Sequence, residues 1–253
     1  MRKSVSLLWT GGWDSTFRLV ELSFEDLDIY PVYVIDPNRK SNVREQQQMQ
    51  IIVEALKNKP LTKARIHDVE KVEMSAIAQD PEITEAYRVI HEKTHLGAQH
   101  EWLAWLGKTH PDLELGTEAG NPETSHIIHA IEEFGELVVN NNVGVLDPER
   151  SSKEGMLVLG WFRFPLITRT ENDMLQLIKQ WGYEDIMQNI WFCHRPIDGQ
   201  PCGLCHPCEV KMESKMEFLL PPKAQKRYKA YRFCTRSFGE FGEKCAQKLL
   251  RHV

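Results

Sequence analysis

The run Leu7-Leu8-Trp9-Thr10-Gly11-Gly12-Trp13-Asp14-Ser15-Thr16-Phe17 limits what this chain can fold into more than any other stretch. Apolar residues give way to two adjacent glycines, an acid and two hydroxyls, and a helical pattern then begins. Such a strand–turn–helix unit leaves backbone N–H groups pointing outward at a helix start, where a ligand can approach closely. Two common phosphate-binding versions are excluded. The Walker pattern needs Gly-Lys-Ser/Thr, and no lysine follows Gly12; the dinucleotide fingerprint needs Gly-x-Gly-x-x-Gly, whereas Gly11 and Gly12 are adjacent. A purely structural role stays open, with the glycines forming a tight turn and Ser15 capping the helix.

The rest of the chain continues the alternation. Strands are expected over Ser4–Trp9, Ile29–Ile35, Ala64–Val69 and Leu113–Gly116, and helices over Ser15–Leu22, Val43–Leu56, Glu82–Glu92 and Gln99–Gly107. Glu136–Leu146 and Met156–Ile167 read as β-rich, and Glu171–Trp181 as a helix closed by Gly182. This order predicts an α/β fold, a doubly wound and mostly parallel sheet with helices on both faces. The 253 residues, 42% hydrophobic, are enough for a full core. Three segments are expected: a main domain over 1–190, a cysteine-rich segment over 191–222 and a basic helical extension over 223–253.

The net charge of −5 is mild and argues against a general nucleic-acid coat, but it is unevenly spread. Residues 223–253 carry nine Lys/Arg (Lys223, Lys226, Arg227, Lys229, Arg232, Arg236, Lys244, Lys248, Arg251) against Glu240 and Glu243, so +7, which leaves −12 on the remainder. Such a tail, rich in Tyr and Phe, suits a solvated helix face or an acidic partner. The apolar run after Arg2 and Lys3 is too short for a signal peptide, and no segment reaches the ~18 apolar residues of a membrane span. A cytoplasmic location is expected, with the six cysteines reduced, metal-bound or catalytic.

Two motifs suggest metals. His91-Glu92-Lys93-Thr94-His95 matches the zincin pattern, in which two histidines share a helix face and the glutamate activates metal-bound water. Lys93 and the nearby Gly97 count against it, because the helix is expected to stop at the second histidine rather than run past it. His126-x-x-His129 is weaker. Cys193, Cys202, Cys205 and Cys208 form a C-x8-C-x2-C-x2-C cluster, in which each x2 gap lets two thiolates reach one ion. Four thiolates complete a tetrahedral Zn2+ with no open position, a structural site. An iron–sulfur cluster, a redox pair, or His194 or His206 replacing one thiol are the competing readings. Cys234 and Cys245 read as ordinary thiols.

Thr10-Gly11-Gly12-Trp13-Asp14-Ser15-Thr16 resembles the Ser-Gly-Gly-x-Asp-Ser loop of the PP-loop ATP pyrophosphatases, which cleave ATP between the α and β phosphates. The resemblance implies that Thr10, Gly11, Gly12, Asp14, Ser15 and Thr16 hold the departing pyrophosphate. It also implies that Asp14 organises Mg2+ or the loop, and that Asp36 lies where the adenosine is received. The loop together with the cysteine cluster resembles the QueC-like family, the 7-cyano-7-deazaguanine synthases, over most of residues 4–215. The shared order runs through Tyr33 to Asp36, Arg44-Glu45, Leu113–Gly116, Pro165-Leu166 and Cys193 to Cys208.

That resemblance implies an ATP-dependent C–N ligase using ATP, Mg2+ and Zn2+. It adenylates 7-carboxy-7-deazaguanine, releases pyrophosphate and lets an amine attack the acyl-adenylate, giving an amide or, after a second activation, a nitrile. Asp14 and Arg169 are the expected catalytic residues. Gln99, His100, Gly116, Thr117 and Glu118 occupy the expected deazapurine pocket, where this chain departs from the family's usual residues. The expected partners are a small deazaguanine carboxylate and ammonia or a protein amine, with a protein contact through the basic tail and a homodimer left open. Two relatives offer alternatives: an antiviral-defence enzyme that joins a deazaguanine to a protein amine, and a tRNA-base-modifying enzyme. A non-enzymatic zinc-knuckle adaptor is a further one.

Overall fold

The computed structural model describes the backbone of residues 2–214 and 216–249, and side chains over the same range as far as 235. The chain opens with β1 (Lys3–Leu8), α1 (Trp13–Ser23), β2 (Leu27–Ile35) and α2 (Asn42–Lys57). There follow β3 (Arg65–Ile66), β4 (Glu70–Glu73), α3 (Pro81–Thr94), α4 (Gln99–Gly107) and β5 (Leu113–Glu114). The remainder is α5 (His126–Phe134), β6 (Leu137–Asn140), β7 (Val143–Leu146), α6 (Lys153–Leu159), β8 (Phe162–Arg163), α7 (Glu171–Trp181), α8 (Glu184–Met187), α9 (His206–Glu213) and α10 (Pro222–Leu249).

Six strands form a parallel sheet ordered β3-β2-β1-β5-β8, with β4 continuing along the same edge of β2 as β3. Period-two alternation in β2 sorts side chains between the two faces: Leu27, Ile29 and Tyr33 enter one core, Val32 and Val34 the other. The first core is covered by α1, α2, α7 and α8, and the second by α3 to α6, so the sheet is doubly wound as expected. β6 and β7 form a separate antiparallel hairpin.

Two expectations are corrected. The third strand does not run through Ala64–Val69. It breaks after Ile66, where His67 turns its imidazole onto Asp28 at 2.7 Å and stacks on Tyr30. Met156–Ile167 is not continuously β-rich: Met156–Leu159 lies in α6, and only Phe162–Arg163 is strand. Ser152 decides the difference, its Oγ accepting from the Gly155 N–H at 2.9 Å to cap α6. A short apolar run has no periodicity able to announce that choice.

The strand order places the glycine loop. The chain builds outward from β1 through β2 to β3 and β4, then crosses to the other side of β1 to add β5 and β8. The reversal falls between β1 and β5. In open α/β sheets the crevice outside the carboxyl ends of the strands at such a reversal is where ligands bind. Both the loop after β1 and the Gly116–Glu118 segment after β5 emerge there.

Candidate functional site

Between β1 and α1 the chain turns at Gly11, whose φ of +71° lies in the left-handed region. Its carbonyl accepts from the Trp191 N–H at 2.8 Å, which docks the cysteine-rich segment directly onto the loop. Gly12 caps α1 with no side-chain hydrogen bond, leaving the first-turn amides to whatever meets them. Ser15 Oγ lies 3.4 Å from the Thr10 N–H and 3.5 Å from Thr10 Oγ1, closing the loop across its base. Thr16 differs from the expectation. It is fully buried and its oxygen accepts from the Trp9 indole N–H at 3.0 Å, so it braces the loop from within.

Gly116 brings the second segment against the first. A Cβ there would lie 3.1 Å from both Asp14 Cβ and Ser15 N, so the glycine lets the two loops pack closely without either giving way. Asp14 and Glu118 thereby become neighbours, with Glu171, the first residue of α7, nearby. Burial pushes the Asp14 carboxyl up to about 6, Lys211 opposing and Glu171 adding to the rise. Burial, with Asp14 and Glu171 adding, pushes Glu118 up to about 7. Glu118 Oε2 and the Trp13 indole N–H are buried with no hydrogen-bond partner. Three acids and two unsatisfied polar atoms beside an open helix start are a site built for something charged.

The other expected site residues are more scattered. Asp36 ends β2, where its Oδ1 accepts from the Asn38 N–H at 2.9 Å and its carbonyl accepts from Asn42 Nδ2 at 2.6 Å. It lines a cleft of about 700 Å3 together with Asn38, Arg39, Lys40, His194 and Arg195. Thr117 N–H turns back to the Leu115 carbonyl at 2.9 Å. Gln99 and His100 open α4. Gln99 is exposed, while His100 is buried, bonds back to the Gly97 carbonyl at 3.0 Å, and has its imidazole held below the ordinary range by burial.

Arg169 lies just before α7. Its guanidinium pairs with Glu21 and lies over the Phe17 ring. Glu21 in turn holds Arg18, which grips buried Glu114 through bonds of 2.8 and 2.9 Å. This chain of charges ties the α7 entry to α1 and β5, while the Arg169 carbonyl accepts from the Ala119 N–H at 2.8 Å beside Glu118.

Two more buried charges lie close by, Glu45 of the Arg44-Glu45 pair and Lys211, which the sequence did not single out. Glu45, nearly fully buried, accepts from Tyr33 at 2.7 Å and Ser41 at 2.7 Å, pinning the start of α2 to the end of β2. Lys211, on α9, reaches Glu171 and hangs 5.3 Å from the Trp13 ring centroid. Nothing in the sequence joins residue 211 to residue 13.

The four expected cysteines do converge. Cys205 Sγ lies 3.5 Å from Cys208 and 3.8 Å from Cys193, and Cys202 lies 3.9 Å from Cys208. Four thiolates around one zinc at ~2.3 Å sit about 3.8 Å apart, so the geometry fits the ion. The cluster could hold a metal such as zinc, and it is the group of metal-ligating side chains found among the described residues. Neighbouring sulfurs, Cys193 foremost, hold the Cys205 thiol far below its ordinary value. Gly203 takes φ +74°, and a Cβ there would stand 2.1 Å from the Ala224 carbonyl oxygen. Arg227 closes the other side, donating to the Cys202 carbonyl at 2.8 Å.

The tail is therefore partly spent on the cluster. Arg227 is buried against it, and Arg232 pairs with Glu209 and Glu213 of α9. Arg236, Glu240, Glu243, Lys244, Cys245, Lys248 and Arg251 lie outside the described side chains. No described helix is long and apolar enough to cross a membrane. No family model matches the chain, and no curated protein matches it.

Proposed function

We propose that this chain is an ATP-dependent ligase of the PP-loop type, which adenylates a carboxylate, releases pyrophosphate and passes the acyl group to an amine. The observation that carries this reading is the close packing of Gly116 on Asp14–Ser15 at the point where the sheet reverses its order. Preorganised amides at the head of α1 and the Thr10 and Ser15 hydroxyls suit the charge that builds on departing pyrophosphate.

The donor set fits Mg2+ in a particular way. Asp14 and Glu118 are adjacent, yet the acids do not gather into a chelating cage among the described residues. One or two carboxylates sharing the ion with substrate phosphates is how Mg2+ is commonly held. When bound, it neutralises charge on the phosphates. Glu118, with its ordinary acidity displaced to about 7 and Oε2 unpaired, can accept the proton released as an amine attacks. The cysteine cluster, closed and distant from any open coordination position, fits a structural ion. The acyl substrate, a 7-carboxy-7-deazaguanine type of carboxylate, rests on the resemblance of the loop and cluster taken together.

The test supplies ATP, the carboxylate and ammonium, and follows nucleotide products and acyl products by mass spectrometry. AMP and pyrophosphate are expected, with amide or nitrile formed. Asp14→Ala should abolish AMP formation while the metal content of the cysteine cluster stays unchanged. ADP with orthophosphate overturns the reading.

The cleft favours a second reading. Exposed Lys40 and Arg195 put two cations at its mouth beside the Asp36 carboxylate, while Arg39 is paired with Glu45. That suits a polyanionic acceptor such as tRNA, for which binding should weaken steeply with salt.

A further inference from the structure

The glycine loop lacks the lysine that a Walker loop carries within itself to reach the outer phosphates. The fold brings one from the other end of the chain. Lys211 sits on α9 three residues after Cys208, so the two side chains share a helix face one turn apart. The cysteine cluster anchors one end of that face. The other end delivers a buried ammonium into the space between Trp13, Asp14 and Glu171. A lysine that is 7% exposed is rare unless paired, and Lys211 is paired with Glu171.

The acids that face Lys211 are Glu171, paired with it, and Asp14 and Glu118 beside it. The face of the Trp13 ring supports the ammonium at 5.3 Å, a cation–π contact. The same Trp13 is 3% exposed and its indole N–H has no acceptor. The buried Trp13 indole N–H and the open first-turn amides of α1 are donors without an acceptor, and the Lys211 ammonium held beside them by Glu171 can join them. An anion with several oxygens supplies that acceptor.

We infer that Lys211, brought by the cysteine-rich segment, and the Trp13 indole N–H of the loop itself complete the phosphate cradle, Lys211 exchanging Glu171 for the outer phosphates when the nucleotide binds. The cluster then positions a working residue of the loop in addition to holding its own fold. This inference rests on the loop being a phosphate cradle.

Calorimetry of the full chain with inorganic pyrophosphate and Mg2+ tests it. Lys211→Met should weaken binding about 10- to 100-fold, the worth of a charge-assisted hydrogen bond, with cluster metal content unchanged. Lys211→Arg should restore most of the affinity. Glu171→Gln, which frees the lysine, should tighten binding, and that gain should vanish in the Lys211→Met background. The last pair reports on the exchange even if one single variant folds poorly. Wild-type affinity in Lys211→Met, or a Glu171→Gln gain that persists without the lysine, overturns the assignment alone. A wild-type chain that takes up neither pyrophosphate nor ATP overturns it together with the ligase reading.

Discussion

Two segments carry the spacing of a metal site, and the fold treats them oppositely. In His91 to His95 the helix ends at Thr94, and His95 caps it with φ 57°, so the second histidine leaves the face it needed to share with the first. Their rings stand 6.4 Å apart and edge-on. The remaining groups are engaged elsewhere: His91 with Tyr87 and the Leu96 carbonyl, Glu92 with Arg88, Lys93 with Glu133. His126 bonds the Thr94 carbonyl at 3.0 Å. In Cys193 to Cys208 the backbone does the reverse. A left-handed glycine and the cap of α9 bend the chain until four sulfurs meet, and backbone amides of Cys202 and Leu204 point at two of them. Spacing proposes a site; the path of the chain past the second ligand decides it.

The largest test of that contrast removes a ligand from each segment. If the cluster holds a metal, Cys208→Ser should lose it and unfold the segment around it, lowering stability by several kcal/mol, because metal binding to such a site is largely folding free energy. His95→Ala should leave metal content unchanged and cost within about 0.5 kcal/mol, as exposed substitutions do. Elemental analysis and thermal unfolding of both variants decide it; equal metal loss would erase the distinction.

A smaller effect is expected at Gly203. Alanine there meets both the left-handed penalty and the Ala224 carbonyl, so about 2–5 kcal/mol should be lost, read from denaturant unfolding with metal present. An unchanged midpoint would mean that α10 yields freely and does not brace the cluster.

The smallest effect is electrostatic and lies at the glycine loop. Asp14 and Glu118 both have acidities raised above their ordinary values of 3.8 and 4.5. The folded state therefore holds protons that the unfolded chain has already released, and stability falls as pH rises through this interval. The deficit develops between about pH 4 and 6 for Asp14, and between about pH 4.5 and 7 for Glu118. Asp14→Asn should stabilise the protein by about 1–2 kcal/mol at pH 8 and by little near pH 4. Melting curves across that range check it, and a gain independent of pH would assign the effect to packing instead.

Much of the scaffold was legible beforehand because its signals are local. Gln99–Gly107 and Glu171–Trp181 carry their boundaries in adjacent residues, the latter through the Thr170–Asp173 capping box and the left-handed Gly182. The break at His67 and the helix at Met156–Leu159 were not legible. Each turns on one side-chain hydrogen bond, with Asp28 or at Ser152, that apolar patterning does not encode. At the site, Asp14 and Gly116 could be singled out by motif and strand order, whereas the pairing of Arg169 with Glu21, 148 positions away, could not.

By itself the sequence determined the alternation of strand and helix, the glycine turn at the head of α1 and the four thiols. Each of these depends on residues a few positions apart, and short-range stereochemistry suffices to specify it. Only the tertiary structure decided that Gly116 packs on Asp14, that Thr16 faces inward and that Lys211 reaches Trp13. The first and last of those contacts join residues 102 and 198 positions apart, while Thr16 turns on Trp9 only seven positions away. The two distant contacts exist because a parallel sheet delivers its strand ends to one edge, whatever their distance along the chain.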